Sequence, residues 1–124
     1  MLIDTDVMID YLRGVEVAVN FLEKHVDDLH VSVITVAELY QGVREGKERT
    51  KLSMTLSALT VLPVTEEIAE LAGLMRREFR TSLGCGLADC LIAATSSQHQ
   101  LPLATLNEKH FKMLERVVVP YRKS

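Results

Sequence analysis

The chain has 124 residues, of which 48% are hydrophobic and only 5% aromatic, with a formal net charge of −3. A chain of this length makes one domain, taken here as residues 1–124, with an aliphatic core that needs no disulfide or metal staple. Its ordinary charged fraction excludes disorder. The acidic balance excludes a protein that holds nucleic acid by charge alone, but not an enzyme whose acids are neutralised by a cation.

Met1–Ile3 reads as a short apolar strand ending at Asp4, and Asp6–Leu12 as a helix stopped by Gly14. Val15, Val19, Leu22 and Val26 share one face of a helix over 15–26. Leu29–Ile34 is a β-branched strand, and Thr35 opens the helix that carries VAELYQGVRE. A further helix runs to about Ala58, and Thr60–Leu62 is a strand ended by Pro63. Thr65 caps a helix to about Arg80, TSLGCG (81–86) is a loop, and Leu87–His99 is a helix. Leu101–Thr105, Asn107–Leu114 and Val117–Val119 complete the chain as strand, short helix and strand. Strands alternating with helices at this spacing give βαβ units, hence an α/β protein: a three-layer α/β/α sandwich around a mostly parallel sheet. Ligands of such sheets bind beyond the carboxyl ends of the strands.

Cys85 and Cys90 do not form a C-x-x-C pair, and two cysteines make no disulfide framework; both are expected as reduced thiols. His25, His30, His99 and His110 have no compact ligand spacing, which argues against a zinc site. No basic leader precedes MLID, and no apolar run approaches the ~20 residues of a membrane span, so a cytoplasmic location without membrane contact is expected.

The polar residues at strand ends carry the chemistry. Asp4 follows the first strand, Glu38 lies early in the helix after LHVSVI, and Asn107 lies just past LPLAT, all on the carboxyl-end edge. Asp89 sits in LADCLIAA, a helix apolar on every side and so expected to be buried, where a lone carboxylate is costly unless a cation meets it. Each has a plainer reading as well. Thr35-x-x-Glu38 fits a capping box, Asp4 or Asp6 can cap the first helix, Asn107 the last, and Asp89 can be met by first-turn N–H groups. The set is harder to explain than its members. Two carboxylates about 4 Å apart repel by about 4 kcal/mol at an effective dielectric near 20. Three rival the ~5–15 kcal/mol stability of a whole domain.

Hard oxygen donors without clustered nitrogen or sulfur select Mg2+ or Mn2+. That combination serves phosphodiester hydrolysis by activated water. Asp4 and Asp89 are the expected metal ligands, with Glu38 a ligand directly or through water. Asp6, Thr105 and Asn107 are expected in support.

The same residues carry a family resemblance. LIDTDVMIDYLRG, ITVAELYQGV and LADCLIAATSSQHQLPLATLNEKHF resemble, in order and over nearly the whole chain, the blocks of PIN-domain ribonucleases of the VapC toxin type. The resemblance implies an α/β/α sandwich, Mg2+ or Mn2+, cleavage of single-stranded RNA, a homodimer and a VapB-like antitoxin that blocks the site. It places Glu38 and Asp89 as acids, with Asp4 in the first block. Two departures stand out: Asp6 where the family more often has Asn or Ser, and Asn107, with His110 three residues on, where many members carry a fourth acid. The number of metal ions is therefore open.

Two other readings compete. Asp4-Thr5-Asp6-Val7 also fits the nucleophile motif of haloacid-dehalogenase-type phosphatases, although no G-D-x-x-x-D or D-D pair follows in the second half. A weak PIN-like binding module is the alternative that Asn107 favours. Basic residues that can meet RNA are Arg44, Arg76, Arg77, Arg80 and Lys109, with Lys47, Arg49 and Lys51 beside Arg44. For such runs a solvated helix face is the competing reading.

Overall fold

A computed structural model describes residues 1–122. Five short strands, β1 (Leu2–Ile3), β2 (His30–Ser32), β3 (Thr60–Leu62), β4 (Leu103–Ala104) and β5 (Val117–Val118), form one sheet in the order β3-β2-β1-β4-β5. Every pairing is parallel. All carboxyl ends therefore lie on one edge, and β1 and β4 are central neighbours there, with Leu2 opposite Leu103 and Ile3 opposite Ala104.

The helices are α1 (Thr5–Leu12), α2 (Glu16–Lys24), α3 (Val33–Gly42), α4 (Lys47–Ser57), α5 (Glu66–Leu83) and α6 (Leu87–His99). Alternation along the strands divides them between two faces. Ile3, Val31 and Ala104 pack with Val7, Met8, Leu22, Leu39 and Leu52, so α1 to α4 cover one face. Leu2 and Leu103 pack with Ile92, Ala93 and Phe111, so α6 covers the other. There α5 lies against α6 through Ile68, Ala72, Cys90 and Ala94. The result is the three-layer sandwich expected.

Some boundaries differ from the sequence reading. α3 begins at Val33, not Thr35, because the Ser32 hydroxyl caps it by accepting the Ile34 N–H at 3.0 Å. The β-branched run VSVIT is thus split between strand and helix, a case of capping and packing overriding propensity. α5 runs on to Leu83 and takes Thr81–Leu83 out of the expected loop; Gly84, at φ 68°, closes it in the left-handed conformation that glycine adopts without strain. α2 buries Ala18 and Leu22, while Val15 and Val26 are exposed, so its core face is narrower than expected. The last helix is only a 3-10 turn, Glu108–Phe111. Thr65 caps α5, accepting the Ile68 N–H at 3.2 Å, and α6 has the predicted limits.

Phe111 anchors that 3-10 turn and is fully buried against β1, β4 and α6. Phe111→Ala should cost about 3–5 kcal/mol of unfolding free energy in a urea titration. A loss under about 1 kcal/mol would mean that the turn is not held by the core.

Candidate active site

The acids are assembled from four places on the carboxyl-end edge. Asp4 ends β1 and is the N-cap of α1: its Oδ1 accepts the Thr5 N–H at 2.8 Å. Its Oδ2 accepts the hydroxyl of Thr105, which follows β4, at 2.7 Å. The capping reading of Asp4 is therefore correct but incomplete, because the second oxygen is used across the sheet. Asp4 is 6% exposed. Burial first, and then the nearby charge of Asp6, push its carboxyl up to about 7, with a smaller contribution from Asp89. The hydrogen bonds from Thr105 and Thr5 pull the other way without cancelling that rise.

Asp6 also lies in the first turn of α1. Its Oδ1 accepts the Val7 N–H at 2.7 Å and its Oδ2 the Leu106 N–H at 3.0 Å, so it ties α1 to the loop after β4. Burial is the main cause that raises its carboxyl as well.

Glu38 lies one turn past the start of α3, and its carboxylate is not used for capping. Its Oε1 accepts the Thr5 hydroxyl at 2.7 Å, and Thr5 in turn lies 2.9 Å from the fully buried Thr35 hydroxyl. Since the Thr5 hydrogen goes to Glu38, Thr35 is the donor to Thr5. The capping box is thus overturned: Thr35 is inside the helix, and both of its members face α1.

Asp89 lies in the first turn of α6, with its side chain 28% exposed and its Oδ2 2.9 Å from His110 Nδ1. The expectation of a buried carboxylate is corrected here. Leu87 is exposed and Ala88 and Leu91 are half-buried, so the start of α6 faces outward although its sequence is apolar. The desolvation argument belongs to Asp4 instead.

Asn107 precedes the 3-10 turn but makes no side-chain cap; its carboxamide contacts His110 Nδ1 at 2.9 Å. Its backbone N–H donates to Thr105 Oγ1 at 3.0 Å. His110 is the residue whose part in the site the sequence reading missed. Its only sequence signal is the three-residue spacing from Asn107, which places both on one side of a 3-10 turn.

The remaining candidates are dispersed. Arg44 is exposed and pairs with Glu48 at 3.9 Å, and Arg49 holds Glu45 at 2.9 Å, so this cluster is partly neutralised. Arg77 and Arg80 are exposed on α5, whereas Arg76 is half-buried with Nη1 lacking a hydrogen-bond partner. Lys109 is exposed next to His110. Cys85 and Cys90 are free, buried thiols 3.5 Å apart, and burial pushes the Cys90 thiol up to about 12, which keeps it protonated and unreactive.

Among the described residues, no three His, Cys, Asp or Glu side chains converge as a closed ligand set. The donor chemistry nonetheless fits a hard divalent cation. A carboxyl raised first by burial and then by the charge of neighbouring acids is the arrangement that a cation relieves.

The PIN domain family profile matches residues 1–116. The chain belongs to the PIN domain family. It is 44% identical to ribonuclease VapC10 of Mycobacterium tuberculosis, over 98% of this chain and 92% of that one. It is 36% identical to ribonuclease VapC19 of the same organism, over 97% and 98%. Among solved structures, a toxin–antitoxin complex from Klebsiella pneumoniae superposes with a TM-score of 0.86 at 31% identity, covering 98% of both chains. PIN membership replaces the phosphatase reading of Asp4-Thr5-Asp6-Val7. No helix among the described residues is long and apolar enough to cross a membrane.

Proposed function

We propose that this PIN-domain chain is an endoribonuclease that uses Mg2+ or Mn2+, and that it is the toxin of a toxin–antitoxin pair. The ribonuclease names of its relatives and the toxin–antitoxin complex it resembles support this reading. The observation that carries the chemistry is Asp4, a buried carboxylate raised to about 7 at the carboxyl-end edge.

Asp4 and Asp89 are the direct metal ligands in this reading, one from the end of β1 and one from the first turn of α6. Glu38 has Oε1 fixed by Thr5, which leaves Oε2 for the cation or for the attacking water. Asp6 braces the loop after β4, and Thr105 orients Asp4. When bound, the divalent cation supplies Lewis-acid stabilisation of phosphate charge and lowers the pKa of water. The protein's own contribution is to hold its oxygens in place beforehand, so that little reorganisation accompanies the reaction.

RNA approach is assigned to Lys109 and to Arg44, Arg76, Arg77 and Arg80. A groove of about 640 Å3 between α1, α3 and α4 leads to Glu38, with Ile9, Leu39 and Leu52 along it and Arg13, Arg44 and Lys51 beside them. That apolar floor suits a VapB-like antitoxin segment with an apolar face, although Glu48 at the rim partly neutralises Arg44. A homodimer in the cytoplasm completes the proposal.

The test is cleavage of single-stranded RNA by the purified protein with Mg2+ or Mn2+. Cleavage should vanish with EDTA and in Asp89→Asn. Cleavage that survives both treatments refutes the mechanism, and binding of RNA without any cleavage favours the inactive binding module.

A further inference from the structure

We propose that His110 is a positioning residue of the acid site, holding Asp89 by one oxygen so that the other is presented to the divalent cation. This rests on the cation reading above.

Among the described residues, His110 is the only hydrogen-bond partner of the Asp89 side chain, through Nδ1 and Oδ2 at 2.9 Å. Asp89 lies in an outward-facing helix turn, and Gly86 before it supplies no side-chain cap. Without His110 the carboxylate would be free to rotate. A carboxylate offers only lone pairs, so Nδ1 carries its ring hydrogen and donates it to Oδ2. Asn107 Nδ2 is placed 2.9 Å from the same nitrogen; a protonated Nδ1 cannot accept from it, so the carboxamide is assigned the flipped orientation, with its oxygen toward the ring. Oδ1 of Asp89 has no partner among the described residues and is the oxygen left for a ligand role.

The backbone that carries the ring is itself held at several points. Phe111, the next residue, is fully buried. The His110 N–H donates to Asn107 O at 3.1 Å, and the Asn107 N–H to Thr105 Oγ1 at 3.0 Å. Thr105 donates to Asp4 Oδ2 at 2.7 Å. A continuous run of hydrogen bonds through one turn therefore joins Asp4 to Asp89. Carboxylate ligands held in this way lose about 10–100-fold in metal affinity when the supporting group is removed.

The experiment is Mn2+ titration of the full-length protein by calorimetry, beside His110→Phe and His110→Asn. His110→Phe should bind Mn2+ about 10–100-fold more weakly. His110→Asn, whose amide nitrogen sits one bond from Cγ as Nδ1 does and can donate to the same oxygen, should recover most of that loss. Equal affinities in all three proteins overturn the role of His110 but leave the cation reading standing. Weakening by the same factor in Phe and Asn variants also overturns it, since loss of the ring alone would then explain the effect; should His110→Phe fail to fold, full loss in a folded Asn variant decides the same way. Electron spin-echo spectra of bound Mn2+ should lack a directly coordinated nitrogen; a strong 14N coupling would make His110 a ligand instead. No Mn2+ uptake by the unaltered protein removes the cation reading and this inference together.

Discussion

Asp4→Asn should lose RNA cleavage by at least about 10³-fold, roughly 4 kcal/mol of transition-state stabilisation, yet make the metal-free protein more stable. The two effects have one cause. Asp4 is buried beside Asp6, and its carboxyl is raised to about 7, so at pH 8 the fold holds a charge that the unfolded chain would carry in water. Asn removes that charge while its side-chain oxygen can still accept the Thr5 N–H that starts α1. The gain in metal-free stability at pH 8 should be on the order of a few kcal/mol, measured by urea unfolding in EDTA. A variant that is both inactive and less stable would show that Asp4 is mainly a structural cap.

The second large effect is a dependence on pH and cation that runs opposite to ordinary acid denaturation. Asp4 keeps its proton up to about pH 7 in the fold but loses it near 3.8 in the unfolded chain. Between those values the unfolded state binds fewer protons, so stability falls as pH rises and levels off above 7. Asp6, also raised by burial, acts in the same sense. Asp28, lowered by its hydrogen bond with the Met1 ammonium, acts in the opposite sense, but only at pH values below this window. The melting temperature in EDTA should therefore drop from pH 5 to pH 8. Mg2+ or Mn2+ at about 100 times its dissociation constant should restore about 3 kcal/mol at pH 8. The restoration should shrink at pH 5, where protons compete for the same oxygens. A metal-free protein that grows more stable toward pH 8, or a cation that leaves the melting temperature unchanged, contradicts this account.

Where local chemistry and tertiary packing agree, the sequence was enough. Thr65 caps α5, where capping residue and apolar spacing point to the same answer, and α6 keeps its predicted limits between Gly86 and Gln100. Asp4 was legible as a strand-end acid for a similar reason. α3 was misread because Val33 and Ile34 carry strand propensity, while Ser32 starts the helix before them. Asp89 was misjudged because periodicity reports which residues are apolar and not which face is covered. Leu87, two positions earlier, is exposed despite its type. Glu38 showed the reverse: a local capping pattern fitted it, yet its partner Thr5 lies 33 positions away. His110 was marked only by its spacing from Asn107, and its role could not be read, since its partner Asp89 is 21 positions distant and nothing in a polar turn marks a ring that faces another element.

The hydrogen bond between Asp4 and Thr105 spans 101 positions, because β1 must wait for β4 as its neighbour. As the chain leaves the ribosome, Asp4, Glu38 and Asp89 all emerge before the segment that aligns them. The stretch from Leu103 to Phe111, which supplies β4, Thr105, Asn107 and His110, follows all three. Contacts of such separation form late in folding. A growing chain thus carries its acids for a time without the strand and the turn that align them.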